Sequence, residues 1–197
     1  MTAADAHPEL EAGEEQTSGP DPFDDPALFA LRWFLISLGV LFAAALLALL
    51  STRGGAPAGE RLGERLPAWV WLSTALLLAS SATLEWARRA VRADRLPALR
   101  AGLAATTVLG VAFLCSQAAA WSALRLDRVA GAGFYVLTAL HGAHVVGGLV
   151  LLVVVTRRAF AGRYWSLSHP GVRYAAHYWH FLDATWLVIV AVMRWVL

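Results

Sequence analysis

The sequence predicts an all-α, polytopic membrane protein built as a bundle of five helices. Three observations carry that expectation. Of the 197 residues, 58% are hydrophobic, more than a soluble domain of this size carries. The apolar residues gather into five stretches, each close to the roughly 20 residues needed to cross a hydrocarbon core. The sixteen basic residues, all arginine, sit mostly in the links between those stretches, where such residues set topology and meet lipid headgroups. That placement argues for a lipid partner and against nucleic acid.

Residues 1–27 hold eight of the fourteen acidic residues, Asp5, Glu9, Glu11, Glu14, Glu15, Asp21, Asp24 and Asp25, and four prolines, with no arginine before Arg32. This composition predicts a disordered acidic tail and lacks the charged start and short apolar core of a signal peptide. The remainder, 28–197, reads as one five-helix domain. Its first span covers 28–50. A Gly- and Pro-containing link then leads to a second span at 68–90, on which Thr74, Ser81 and Glu85 share one face by the 3.6-residue period and should turn toward other helices. The third span is placed at 101–124, the fourth at 133–156 and the fifth at 174–197. The links after spans two and four hold five and four arginines, against three and two in the other links. The richer pair is therefore expected in the cytoplasm, with the N-terminus inside and the C-terminus outside, in the periplasm.

Within span four, Ala139, Ala143 and Gly147 recur every fourth residue, a small-residue pattern that predicts a close helix contact. Trp33, Trp69, Trp71, Trp86, Trp121, Trp165 and Trp195 fall near span ends and read as interfacial anchors. The single Cys115 excludes an internal disulfide and reads as a small core residue.

The polar residues at membrane depth are the candidate site. His141 and His144 in span four, and His177 and His180 in span five, form two pairs at i, i+3, which brings each pair onto one side of its helix. Asp183 continues the second series by another three residues, and Glu85 is the only other acidic residue within a span. Glu85 stands one turn before Arg89, placed for an i, i+4 ion pair. Asp183 has no such arginine, so its expected donor is His180 or a facing helix. The spacing admits three readings: a hydrogen-bonded structural network, a bound metal or haem, or a proton-conducting group. Bulky Trp179 and Phe181 beside His180 weigh against a haem, and no cysteine or carboxylate cluster completes a metal set. No phosphate-binding glycine loop, zinc-protease HExxH or nucleophile elbow is present, so no catalytic site is expected in this chain.

Two segments, FYVLTALHGAHVVGG from Phe134 and AAHYWHFLDATWL from Ala175, closely resemble the C-terminal signatures of subunit III of haem-copper oxidases, above all the cytochrome c oxidase branch. The likeness continues upstream through VLGVAFLCSQAAAW (Val108 to Trp121) and LLLASSATLEWARRAV (Leu76 to Val91), with a weaker match in FLISLGVLFAA (Phe34 to Ala44). Five spans are similar to the short bacterial form of the family. The resemblance implies an accessory subunit in a bacterial inner membrane, holding no haem or copper of its own. It would pack against the catalytic subunit I beside subunit II, bind phospholipid in its clefts, and sustain proton uptake and turnover stability. His141, His144, His180 and Asp183 match the family pattern and would be structural, not metal ligands. Two departures stand out: Leu38 and Ala120 occupy positions where the family carries membrane-embedded carboxylates. Two alternatives accompany this reading. One is the corresponding subunit of a quinol oxidase or an accessory protein of nitric oxide reductase. The other is a self-contained membrane haem or metal redox protein.

Overall fold

The structure, a computed structural model, describes residues 25–53, 68–123, 129–165 and 169–195. The expected acidic tail lies outside the described residues as far as residue 24. Among the described residues, five helices make up the fold: α1 Pro26–Arg53, α2 Ala68–Arg92, α3 Leu96–Ala123, α4 Val129–Phe160 and α5 Pro170–Trp195. No β-strand occurs among the described residues. Three segments, Pro26–Ser51, Leu96–Ser122 and Tyr135–Phe160, are long and apolar enough to cross a membrane by length and composition. The remaining two helices, α2 with 25 residues and α5 with 26, reach about 38 Å at 1.5 Å per residue. They carry most of the polar side chains that join the bundle.

Hydropathy marks where a helix is apolar, whereas caps decide where it ends. For that reason α3 and α4 run several residues past the expected apolar spans at one or both ends. The Asp25 carboxylate accepts from the Leu28 N–H at 3.2 Å, capping α1 just before Pro26 at the first helical position. Two helices stop in the same way. Asp94 (φ 51°) and Gly162 (φ 71°) adopt left-handed backbone after α2 and α4. The following N–H groups reach back five residues, from Arg95 to the Ala90 carbonyl and from Arg163 to the Arg158 carbonyl, which closes the last turn of each helix.

Helices α2, α3, α4 and α5 close into a ring, each touching the next and α5 returning to α2, while α1 packs outside the ring on α4 and α5. The seam between α2 and α3 is the most extensive. Near the turn that joins them, Gly102 faces Ala87 and the Thr83 carbonyl so closely that a Cβ added to it would stand 2.8 Å from the Ala87 Cβ. A second close approach joins α4 to α5, where a Cβ on Gly148 would meet Tyr178, Trp179 and Leu182 at 3.0–3.2 Å. α1 contributes a stripe at three- and four-residue steps, with Leu28, Leu38, Phe42 and Leu49 buried and Leu31, Leu35, Ala45 and Leu46 partly so. Its other face is exposed, including Trp33, Phe34, Ile36 and Val40.

The close contact expected at Ala139, Ala143 and Gly147 is not made within this chain, and the expectation for Cys115 is corrected. The stripe Ala139, Ala143 and Gly147 lies on the outer face of α4, and a Cβ on Gly147 would meet only the Tyr178 hydroxyl, at an ordinary 3.7 Å. The close approach inside the chain falls one residue on, at Gly148, because a step of one residue turns the helix by about 100°. Cys115 is likewise exposed, on the outer face of α3, and not in the core.

The end of the bundle that carries the α1 N-terminus is tied together by polar contacts. Arg173 at the start of α5 forms an ion pair with Asp25, and the neighbouring Tyr174 hydroxyl donates to the same carboxylate at 2.8 Å. The Arg100 Nε–H donates to the Ala159 carbonyl at 3.1 Å, tying α3 to α4. The Tyr174 hydroxyl, the Leu28 N–H and the Arg173 guanidinium together hold the Asp25 carboxyl below its ordinary value.

Gly102→Ala is expected to force α2 and α3 apart and to cost about 1–3 kcal/mol, whereas Gly147→Ala should change stability by less than about 0.5 kcal/mol. Thermal or denaturant unfolding of the two variants in detergent measures the difference. Because the folded carboxyl of Asp25 is lowered, its contribution is present above the unfolded carboxylate range and is lost as the pH falls through the folded value. Asp25→Asn should therefore reduce stability near neutral pH and reduce the further loss on acidification, as read from melting midpoints across an acid titration.

Candidate functional site

Polar side chains at membrane depth are costly unless they find partners inside the protein, and α2 supplies most of those partners. Its sequence places Ser73, Thr74, Ser80, Ser81 and Thr83 at intervals that bring hydroxyls to both the α3 and the α5 side. Toward α3, Ser73 accepts from the buried Gln117 amide at 2.6 Å, and Thr83 and Thr106 share a hydrogen bond of 2.8 Å. Toward α5, the Trp179 indole N–H donates to Ser80 at 2.9 Å and the Trp186 indole N–H donates to Thr74 at 3.0 Å. The two tryptophans are seven residues apart, two helical turns, and each is 1% exposed. Both indoles thus insert between helices with their polar edges satisfied, the arrangement a buried tryptophan requires.

The six sequence-predicted polar residues are divided between two places. His180, Asp183 and Glu85 lie along the α2–α5 seam. The His180 Nδ1 shares a 2.5 Å hydrogen bond with Ser81, so its partner is this hydroxyl and not Asp183. Asp183 is buried and faces the same serine without a hydrogen bond of normal geometry to either carboxylate oxygen. One turn further along, Glu85 accepts from Arg88 Nε and Nη2 at 2.6 and 2.8 Å and from Arg89 Nε at 3.0 Å. The expected pair with Arg89 is present, and the bidentate grip of Arg88 is the shorter. His177 is exposed, and its Nδ1 donates to the Arg173 carbonyl of its own helix at 2.8 Å.

His141 and His144 occupy the second place, the junction of α4 with α1, α3 and α5. His141 is 1% exposed, with neither ring nitrogen hydrogen-bonded. Its ring is enclosed by Phe42 at 6.0 Å, Phe113 at 5.9 Å and Trp186 at 5.3 Å between centroids. His144 turns toward α1, packs on Phe42 at 5.5 Å, and donates from Nδ1 to its own Leu140 carbonyl at 2.7 Å. The Tyr178 hydroxyl donates to the His144 carbonyl at 3.1 Å, joining α5 to α4. The two histidine pairs therefore do not converge. Among the described residues, no three His, Cys, Asp or Glu side chains come close enough together to hold a metal ion.

Sequence reasoning gave Thr74, Ser81 and Glu85 a common face toward other helices, and Thr74 and Ser81 do meet α5 there. It gave Trp179 and Trp186 no structural role, although a signal was available. Of the nine tryptophans these two alone fall well inside a span, and Trp33, Trp69, Trp71, Trp86, Trp121 and Trp165 near span ends are exposed. Gln117, Ser73 and Thr106 carried no separate signal, because single small polar residues within an apolar run do not disclose their partners. At the two positions of the missing family carboxylates the side chains are core: Leu38 is 4% and Ala120 is 0% exposed.

Comparison with known proteins places this arrangement. The family described as cytochrome c oxidase subunit III matches residues 32–196. Among curated relatives, cytochrome c oxidase subunit 3 of Pylaiella littoralis is 34% identical over 128 residues, covering 64% of this chain and 47% of the relative. The protein of the same name from Pelomedusa subrufa is 35% identical over 127 residues, 63% of this chain and 49% of the relative. That from Branchiostoma lanceolatum is 36% identical over 129 residues, 63% and 48% respectively. The chain spans about half the length of the curated relatives it matches.

If the indole to hydroxyl bonds hold α5 to α2, a double-mutant cycle of Thr74→Val and Trp186→Phe should give a coupling of about 0.6–1.5 kcal/mol. Unfolding of the four proteins in detergent measures it, and a coupling near zero would remove the bond from the account of the fold.

Proposed function

The chain belongs to the cytochrome c oxidase subunit III family, and from that premise we propose that it is an accessory subunit of a cytochrome c oxidase complex in a bacterial inner membrane. It contributes no redox centre. The haem and copper belong to partner subunits, and dioxygen reduction with proton pumping is the work of the complex. Its own work is to brace catalytic subunit I, next to subunit II, and to seat phospholipid against its outer faces.

The observation that carries this reading is the use made of polar groups at membrane depth. Indoles, hydroxyls and an amide that could have lined a cavity are spent on helix-to-helix hydrogen bonds: Trp179 to Ser80, Trp186 to Thr74 and Gln117 to Ser73. Such bonds hold the helices rigidly against one another. Around it stand broad apolar faces, on α1 with Trp33, Phe34 and Val40 and on α4 with Val136, Val146 and Val150, suited to lipid or to other membrane subunits. The outward stripe Ala139, Ala143 and Gly147 adds a place where a partner helix can approach closely. Leu38 and Ala120 support the bracing role over proton relay, since an aliphatic core side chain cannot carry a proton. In this reading the arginine-rich end of the bundle is cytoplasmic.

Purification of the tagged chain from its native membranes in mild detergent tests the proposal. Co-purification of a large, many-helix subunit together with a copper-binding subunit is the expected result, and their identity separates a cytochrome c oxidase from a quinol oxidase or nitric oxide reductase. Recovery of the chain alone, with visible absorption bands that His180→Ala abolishes, would overturn the proposal in favour of a self-contained redox protein.

A further inference from the structure

We infer that the acidic segment 1–24 docks on the arginine-lined end of its own helix bundle, with Asp25 as the first rung of that contact. Asp25, the last acidic residue of the N-terminal series, is already held there, ion-paired to Arg173 and hydrogen-bonded by Tyr174. Seven more acidic residues precede it, Asp5, Glu9, Glu11, Glu14, Glu15, Asp21 and Asp24, with no arginine or lysine among them. The chain therefore leaves α1 at the very end where the bundle is most basic.

That end is one surface, because contacts between the helix ends bring its parts together. Asp25 joins the starts of α1 and α5, Arg100 joins the start of α3 to the end of α4, and the turn at Asp94 joins α2 to α3. Arg89, Arg92 and Arg95 from the α2–α3 turn and Arg157, Arg158 and Arg163 from the end of α4 are exposed on it. The acidic groups on the same surface are Glu85, engaged by Arg88 and Arg89, and Asp94. Reach is sufficient: 24 residues extend to at most about 80 Å, and a bundle of helices each about 10 Å wide is crossed by less than half of that. The net attraction is between a polyanionic strand and a polycationic face, and anionic lipid headgroups compete for the same arginines.

A glutamate-specific protease reads the contact directly on the full chain in nanodiscs of phosphatidylcholine. Glu9, Glu11, Glu14 and Glu15 report the segment, while Glu60 and Glu64, in the sequence link between α1 and α2, serve as the internal reference. The Debye length falls from about 30 Å at 0.01 M salt to about 3 Å at 1 M. Cleavage in the segment relative to the reference should therefore rise at least about fivefold between those conditions, the size expected when a screened multivalent contact is released. The variant carrying Arg157→Gln, Arg158→Gln and Arg163→Gln should show the high ratio already at low salt. Replacing part of the lipid by phosphatidylglycerol should raise the ratio in the unaltered chain. A ratio independent of salt overturns the inference whether or not the triple variant folds, and so does a folded variant whose ratio matches that of the unaltered chain at low salt.

Discussion

Two indole N–H groups that meet hydroxyls of α2 close the ring of helices, and the rest of the bundle is arranged around that closure. Between apolar helices in lipid there is little hydrophobic gain from association, because the tails are as apolar as the side chains. What remains is packing and the requirement that each buried polar group find a partner. Helix α2 meets that requirement for two neighbours at once. Its hydroxyls engage Gln117 and Thr106 of α3 on one side and Trp179, Trp186 and His180 of α5 on the other. Close backbone approach follows where residues are small, at Gly102 against Ala87 and at Gly148 against the Trp179 turn.

The first helix obeys a different rule. Among the described residues it touches only α4 and α5, and its described hydrogen-bonded link to them is at one end, through Asp25 with Arg173 and Tyr174. Along its length it is held by shape, with Phe42 beside His141 and His144, Phe34 beside Tyr178 and Gly39 beneath Phe181. The same Asp25 caps the helix and clamps it to α5, so local helix formation and tertiary docking rest on one carboxylate. Leu38 packs in this interface as an aliphatic side chain, in a position that the family resemblance assigns to a carboxylate. In the proposed bracing role this is a gain in packing at the cost of a protonatable group.

The candidate site teaches a related lesson about histidine pairs. His141 and His144 are three residues apart, yet one is sealed among Phe42, Phe113 and Trp186 while the other bonds its own helix backbone. His177 and His180 diverge in the same way, one exposed and one joined to Ser81. Spacing of three residues puts side chains on one side of a helix, about 60° apart, but each then answers to whichever neighbour lies across from it. Convergence of two pairs on one centre needs two helices to face each other at matching heights, and here α4 and α5 meet through Gly148, Tyr178 and Trp179.

The sequence by itself determined the helical class, the existence of the five helices and the family, because hydropathy, length and motif are written along the chain. It also placed Thr74 and Ser81 on an inward face and paired Glu85 with Arg89, since both follow from helical periodicity within one element. Only the tertiary structure decided that Trp179 and Trp186 are the inner fasteners, that His180 answers to Ser81, and that Asp25 belongs to α5. It also turned Ala139, Ala143 and Gly147 outward and made Gly148 the contact. The reason is geometric. Periodicity fixes which residues share a face, but in a membrane both faces of a helix can be apolar, so nothing in the pattern says which face meets protein. That choice is made between helices, by the fit of an indole to a hydroxyl and of a glycine to the ring above it.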